Sequence, residues 1–250
     1  GLAPNGNNTV RALALDPAGF VVVTGQIANG ADYLTIKYDS NGIEQGRVST
    51  SGNGNDAPVA MAIDPAGNIF VTGVSADGLY GSYLTVKYSP TLQELRRATI
   101  RGSGSLPIQP YAIAVDAAGN VIVAGDLVVK YNSDLVEQWH SDLFRAHALA
   151  IGPDNVVVVG GEGGLVAKYD PGGTWLWQRA MNGAVDGNDV VYAVAVGGDG
   201  GIYAVGQNAA DVFGDYLTIK ISADGAERWW FNTATAGGGS GVAPMLALGE

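Results

Sequence analysis

The residues able to take part in catalysis or ligand binding are few in this 250-residue sequence, and their spacing is informative. Cysteine is absent, which removes thiolate nucleophiles, disulfides, cysteine-based zinc sites and covalent haem attachment together. The two histidines, His140 and His147, are too few for a copper or ordinary catalytic zinc site without carboxylates, and both read as ordinary residues. All five lysines sit at one place in a recurring apolar segment: Lys37 in "DYLTIKY", Lys87 in "SYLTVKY", Lys130 in "DLVVKY", Lys168 in "GLVAKY" and Lys220 in "DYLTIKI". Gathered together, such ammonium groups would make an anion site. Asp16, Asp64 and Asp116 recur in the same way, and glycoside hydrolysis needs two carboxylates about 5 to 9.5 Å apart across one cleft. The "DGND" at Asp186–Asp189 hints at calcium but lacks an alternating Asp-x-Asp-x-Asp-Gly spacing. None of these patterns implies a cofactor.

The elements that must position these residues come from an internal repeat. "ALALDPAGFVVVTG" from Ala12 returns as "AMAIDPAGNIFVTG" from Ala60, "AIAVDAAGNVIVAG" from Ala112, "ALAIGPDNVVVVGG" from Ala148 and "AVAVGGDGGIYAVG" from Ala193. In each, two apolar runs flank a turn. Asp-Pro-Ala-Gly suits that turn, because proline presets φ at the second position and glycine accepts a positive φ at the fourth. The pair is a hairpin of strands A and B. The lysine segment follows as strand C, then a second turn such as "DSNG" or "SADG", then strand D. Strand D places Trp139, Trp177 and Trp229 nine residues after their lysines, where the first two repeats have Gly46 and Arg96.

Four antiparallel strands per repeat predict an all-β protein, a β-propeller of five complete blades plus one extra C-terminal strand. The blades span approximately 10–57, 58–109, 110–145, 146–190 and 191–240 of a single domain covering 1–250. Residues 242–250 align with an orphan strand A of a sixth unit.

"AIAVDAAGNVIVAG" followed by "KY…W", with "GNGND" ahead of strand A, resembles the bacterial SBBP (seven-bladed beta-propeller) repeat, with some likeness to NHL repeats. The resemblance covers nearly the whole chain. It implies a propeller on an exported or surface-attached bacterial protein and no catalytic residues, since the motif is structural. The chain departs from it in count, with five complete copies and not seven.

A residue present in every blade is most economically explained by something every blade must do. The lysines are therefore read as architecture, each laying its methylenes on apolar surface and delivering its ammonium to a carboxylate or carbonyls at a blade boundary. Glu44, Glu94, Glu137 and Glu227 follow the lysines by seven residues, but a bulged turn puts them on the opposite face, and the partner stays unassigned. The repeated aspartates, and likewise Asp56 and Asp189, read as turn residues.

Strand order places the A–B and C–D turns on one side and the B–C and D–A loops on the other. The second set varies in length and content, which is where a rigid frame carries binding. Tyr80, Tyr111 and Phe213 are candidates to stack on a sugar or grip a peptide; Asp77, Asp186 and Asp211, with Glu162, are candidates to orient it. The expected function is a non-catalytic extracellular or cell-surface interaction scaffold. The alternative is a glycan-binding protein or carbohydrate-active enzyme using loop carboxylates.

A net charge of −11 argues against nucleic acid and anionic membrane surfaces as partners. The apolar runs are too short for helical membrane insertion. Gly1 is not an initiator residue, so processing or trimming is expected. The orphan strand at Met245–Leu248 is expected either to belong to a longer protein or to be donated to a neighbouring copy, giving a head-to-tail homo-oligomer.

Overall fold

Strand C of the first repeat sets Tyr33 and Thr35 on one face and Leu34 and Ile36 on the other. All four are buried. A strand covered on both faces is the mark of stacked sheets. The computed structural model describes residues 8–27, 32–52, 54, 56–75, 81–102, 107–181, 189–208 and 215–233, and arranges them as five four-stranded antiparallel sheets. The first sheet holds β1 (Thr9–Leu15), β2 (Val21–Gln26), β3 (Tyr33–Tyr38) and β4 (Glu44–Thr50). The second holds β5 (Ala57–Ile63), β6 (Ile69–Ser75), β7 (Ser82–Tyr88) and β8 (Glu94–Arg101). The third holds β9 (Pro110–Val115), β10 (Val121–Gly125), β11 (Val128–Tyr131) and β12 (Glu137–Ser141). The fourth holds β13 (Ala146–Ile151), β14 (Val157–Gly161), β15 (Leu165–Tyr169) and β16 (Trp175–Ala180). The fifth holds β17 (Val190–Val196), β18 (Ile202–Asn208), β19 (Asp215–Ile221) and β20 (Glu227–Thr233). Each is an A-B-C-D meander. Among the described residues, no helix is long and apolar enough to cross a membrane.

The chain divides into two compact units, Gly1–His140 and Ser141–Glu250. In the first, Val22, Tyr33 and Val48 of the first sheet pack against Ile69, Val86 and Tyr88 of the second. Phe70, Tyr83 and Ile100 of the second sheet pack in turn against Val121, Val129 and Tyr131 of the third. In the second unit, Val158, Val166 and Trp177 pack against Val194, Ile202 and Ile219.

Turn chemistry follows the repeat. In the first A–B turn the Asp16 amide bonds the Phe20 carbonyl and the Gly19 amide bonds the Asp16 carbonyl, both at 2.9 Å, with Gly19 at φ 84°. The same pattern closes the turns at Asp64 and Asp116. In the C–D turns of the second and third sheets, Leu92 and Leu135 take the left-handed position that Gly42 takes in the first, at φ 64° and 58°. Both leucines are buried in the sheet-to-sheet clusters, so apolar burial offsets a backbone cost of about 1–2 kcal/mol.

One feature recurs in all five sheets and governs the loop-bearing end. The A–B register slips once in each strand A, between Val10 and Ala12, Pro58 and Ala60, Pro110 and Ala112, Ala146 and Ala148, and Val191 and Ala193. The bulge residues are Arg11, Val59, Tyr111, His147 and Tyr192. Opposite each bulge lies a strand B glycine: Gly25, Gly73, Gly125, Gly161 or Gly206. A Cβ on any of them would collide with a carbonyl oxygen at or just before the start of strand A, that of Thr9, Ala57, Gln109, Arg145 or Val190. At Gly73 and Gly125 it would also meet the hydroxyls of Tyr33 and Tyr83.

Candidate functional site: the lysine junctions and the bulge residues

The lysines find their partners in the turns at the A–B end. Lys37 Nζ lies 2.6 Å from Asp16 Oδ2 of its own A–B turn and donates to the Pro90 carbonyl, in the C–D turn of the next sheet, at 2.8 Å. Lys87 donates to the Ser133 carbonyl at 2.7 Å and Lys168 to the Ala223 carbonyl at 2.8 Å. Pro90, Ser133 and Ala223 all hold the second position of the following C–D turn. Lys130 lies 3.7 Å from Asp116. Lys37 and Lys87 also sit over the rings of Phe20 and Phe70, at 4.5 and 5.4 Å. Lys37, Lys87 and Lys168 thus tie strand C to the next sheet, which supports the structural reading of these three lysines. The glutamates take other partners: Glu44 pairs with Arg47, Glu94 with Arg97 and Glu137 with His140, all along strand D.

The repeated aspartates are brought together, since Asp16, Asp64 and Asp116 line one shallow depression of about 350 Å³ in the first unit. Their oxygens are already committed. Asp16 Oδ1 accepts the Ala18 and Phe20 amides, Asp64 accepts the Asn68 amide and side chain, and Asp116 accepts the Ala118 and Asn120 amides and the Asn120 side chain. Burial pushes the Asp16 carboxyl up, but the Lys37 ammonium and the Phe20 and Ala18 amides outweigh it and hold the group below 3.8. A carboxylate so held does not serve as a general acid. All three cap turns, and Asp16 and Asp116 also hold Lys37 and Lys130.

A second recurrent contact strengthens the junctions. Tyr33 donates to the Leu84 carbonyl of the next sheet, and Tyr83 donates to the Leu127 carbonyl, both at 3.2 Å. Tyr83 also accepts the Leu127 amide at 2.8 Å. At the far end of strand C, Tyr88 reaches back to Thr50 at 2.7 Å and Tyr169 to Ser141 at 3.1 Å. The Tyr131 hydroxyl is buried without a hydrogen-bond partner. In the register that sets Thr50 beside Tyr33, the second sheet has Ile100 beside Tyr83, so no hydroxyl stands there to receive it.

Of the loop candidates, Tyr80, Phe213, Asp77, Asp186 and Asp211 lie outside the described residues, as does the terminal segment 242–250. Tyr111 is described: it is half-buried and occupies the β9 bulge. His147 lies inside β13 at its bulge. It stacks edge-on to the bulge residue Tyr192 at 6.4 Å between ring centroids and lies 3.9 Å from Glu162 Oε1, which Arg145 also engages at 3.0 Å. Bulges re-aim side chains and are enriched beside active sites. Arg11, Val59 and Tyr111 in the first unit, and His147 and Tyr192 in the second, are therefore candidate recognition residues. Sequence reasoning named Tyr111 as a loop residue and read His147 as ordinary, but passed over Arg11, Val59 and Tyr192 because the repeat begins one residue later. The available signal was chemical variety at a fixed position immediately before an invariant alanine.

No protein-family model matches the sequence, and no curated protein matches it. Among solved structures the chain is similar to Sqt1 from Chaetomium thermophilum, at 14% identity and a TM-score of 0.64, over 91% of this chain and 58% of that one. It is also similar to the Dos1 propeller, at 10% identity and a TM-score of 0.58, over 79% of this chain and 52% of that one. The chain thus spans little more than half the length of the solved chains it matches. Taken with the five repeated four-stranded sheets, these likenesses make the fold an all-β propeller with about five blades.

Proposed function

We infer that this protein is a non-catalytic interaction scaffold, a rigid propeller whose B–C and D–A loops and adjoining bulge residues recognise a protein or glycan. The observation that carries the reading is the commitment of the repeated carboxylates and lysines to turn caps and sheet-to-sheet bonds. The B–C and D–A segments vary in length and content from blade to blade. The SBBP resemblance supports an exported, cell-surface bacterial setting, and fractionation of the native host would test it. The test of recognition is a glycan array and a panel of defined peptides, read with the protein and with Tyr111→Ala and His147→Ala. Binding lost in either variant supports the scaffold. Turnover of a glycan that disappears with Asp77→Asn, Asp186→Asn or Asp211→Asn would replace it with the carbohydrate-active reading. Self-assembly through the terminal strand belongs to the same proposal. Deleting 242–250 and measuring mass in solution tests it, and an unchanged mass removes that strand as the link.

A further inference from the structure

The strand D position opposite the strand C lysine is filled differently in the first sheet. Trp177 pairs with Lys168, Trp229 with Lys220 and Arg96 with Lys87, and Trp139 holds the same place in the third repeat. In the first sheet the residue paired with Lys37 is Gly46. The junction of the fourth and fifth sheets shows what the tryptophan does. Its indole lies against the C–D turn of the next sheet, so close that a Cβ on Gly225 would come within 2.9 Å of Trp177 Cδ2. Trp177 Nε1 donates to the Ala223 carbonyl at 3.3 Å, the same oxygen that receives Lys168 at 2.8 Å. One carbonyl, with its two lone pairs, serves an ammonium and an indole N–H together.

The junction of the first and second sheets has the same parts without the ring. Lys37 donates to the Pro90 carbonyl at 2.8 Å, and Pro90 holds the turn position of Ala223. Beside them, at Gly46, lies a cavity of about 250 Å³ whose described lining residues all belong to the first unit. Of these, Gln45, Pro90 and Thr91 are exposed to solvent. A Cβ on Gly46 would meet Leu92 Cδ1 at an ordinary 3.7 Å and nothing nearer. Leu92 stands where Gly225 stands in the other turn, and supplies an apolar wall. Phe20 supplies an aromatic one, with Lys37 Nζ 4.5 Å from its ring centroid. A cavity below the roughly 300–1,000 Å³ of a drug-sized site takes a single ring system. The ammonium beside it favours an electron-rich aromatic ring over a saturated or cationic one.

We propose that the Gly46 cavity binds an indole ring supplied from outside the chain, in the place that Trp177 fills from within it. The N–H of that ring donates to the Pro90 carbonyl alongside Lys37, and its apolar surface rests on Phe20 and Leu92. The source is a free indole compound or the tryptophan side chain of a partner peptide, since both present the same ring and the same donor. The cavity lies at the end of the sheets that carries the A–B and C–D turns. The bulge residues lie towards the other end, so either proposal can fail alone.

The test is a ligand-observed NMR titration of the full chain with indole, 1-methylindole and N-acetyltryptophan amide. Indole is expected to bind with a dissociation constant of about 0.1–1 mM, the range open to so small a ligand. 1-Methylindole, which lacks the donor, is expected to bind about tenfold more weakly. Gly46→Trp fills the cavity from within and is expected to abolish binding. Gly46→Leu, a smaller filler, checks the same point, and circular dichroism confirms the fold of each variant. N-acetyltryptophan amide binding as tightly as indole supports a peptide tryptophan as the source; weaker or absent binding of the amide beside bound indole supports a free indole compound. A wild-type protein that binds neither indole nor the amide would overturn the proposal. So would binding that survives either substitution in a folded variant, or 1-methylindole binding as well as indole.

Discussion

Replacing Lys37 with methionine probes the junction on which the repeat is built. The Lys37 side chain is 10% exposed and that of Asp16 is 3% exposed. Methionine keeps most of the aliphatic stem and removes the ammonium, leaving the Asp16 carboxylate and the Pro90 carbonyl without their donor. Removing one partner of a buried pair costs about 3–5 kcal/mol, a large part of the roughly 5–15 kcal/mol that keeps a domain folded. The pH dependence has a definite sign. Asp16 is held below 3.8 in the folded protein, so its pairing contributes stability that is present above that pH and lost as pH falls through the lower folded value. The deficit of Lys37→Met is therefore full at neutral pH and shrinks in acid below 3.8. Adding Asp16→Asn to Lys37→Met should recover part of the loss, because the amide oxygen still caps the turn without a stranded charge. Lys220→Met is the internal control: its aspartate partner is exposed and 3.9 Å away, so the midpoint should barely move in dilute protein. Urea denaturation followed by circular dichroism at several pH values reads all of this. Equal losses at Lys37 and Lys220, or a Lys37 deficit unchanged in acid, would refute the reasoning.

Other outcomes follow from the same geometry. Gly73→Ala should cost about 1–3 kcal/mol by forcing a Cβ against the Ala57 carbonyl and the Tyr33 hydroxyl, whereas Gly198→Ala, with open space around it, should be neutral in the same denaturation assay. Tyr83→Phe should cost about 1–3 kcal/mol, because it strands the buried Leu127 groups. Tyr131→Phe, which removes a buried hydroxyl that has no partner, should be neutral or stabilising. Burial raises the pKa of Tyr88 to about 12, although its bond to Thr50 opposes this. Burial likewise raises Tyr33, Tyr83 and Tyr131. A tyrosine raised in the folded state contributes stability that is complete below pH 10.0 and lost as pH climbs towards its folded value. Tyrosinate absorbance and loss of sheet signal should therefore rise together above pH 10.0; buried tyrosines titrating freely in a folded chain would contradict this.

The strands, their turns and the four-strand repeat were legible in the primary structure because each depends on near neighbours. An Asp-Pro-Ala-Gly turn closes over a few residues, and apolar residues at both parities mark a strand buried on both faces. The structural nature of the lysines was legible for the same reason, since a residue required by every blade recurs in every blade. Their acceptors were not. Lys37 bonds a carbonyl 53 residues on, Lys87 one 46 residues on and Lys168 one 55 residues on. A backbone carbonyl carries no residue type to announce itself. The bulge residues were hidden in a different way: whether Tyr111 or His147 pairs in register or is squeezed out depends on the glycine opposite and the carbonyl pressed against it. Only the assembled sheet decides that, and only the stacking of sheets within a unit decides which repeated face, such as that bearing Tyr33 or Tyr83, is buried.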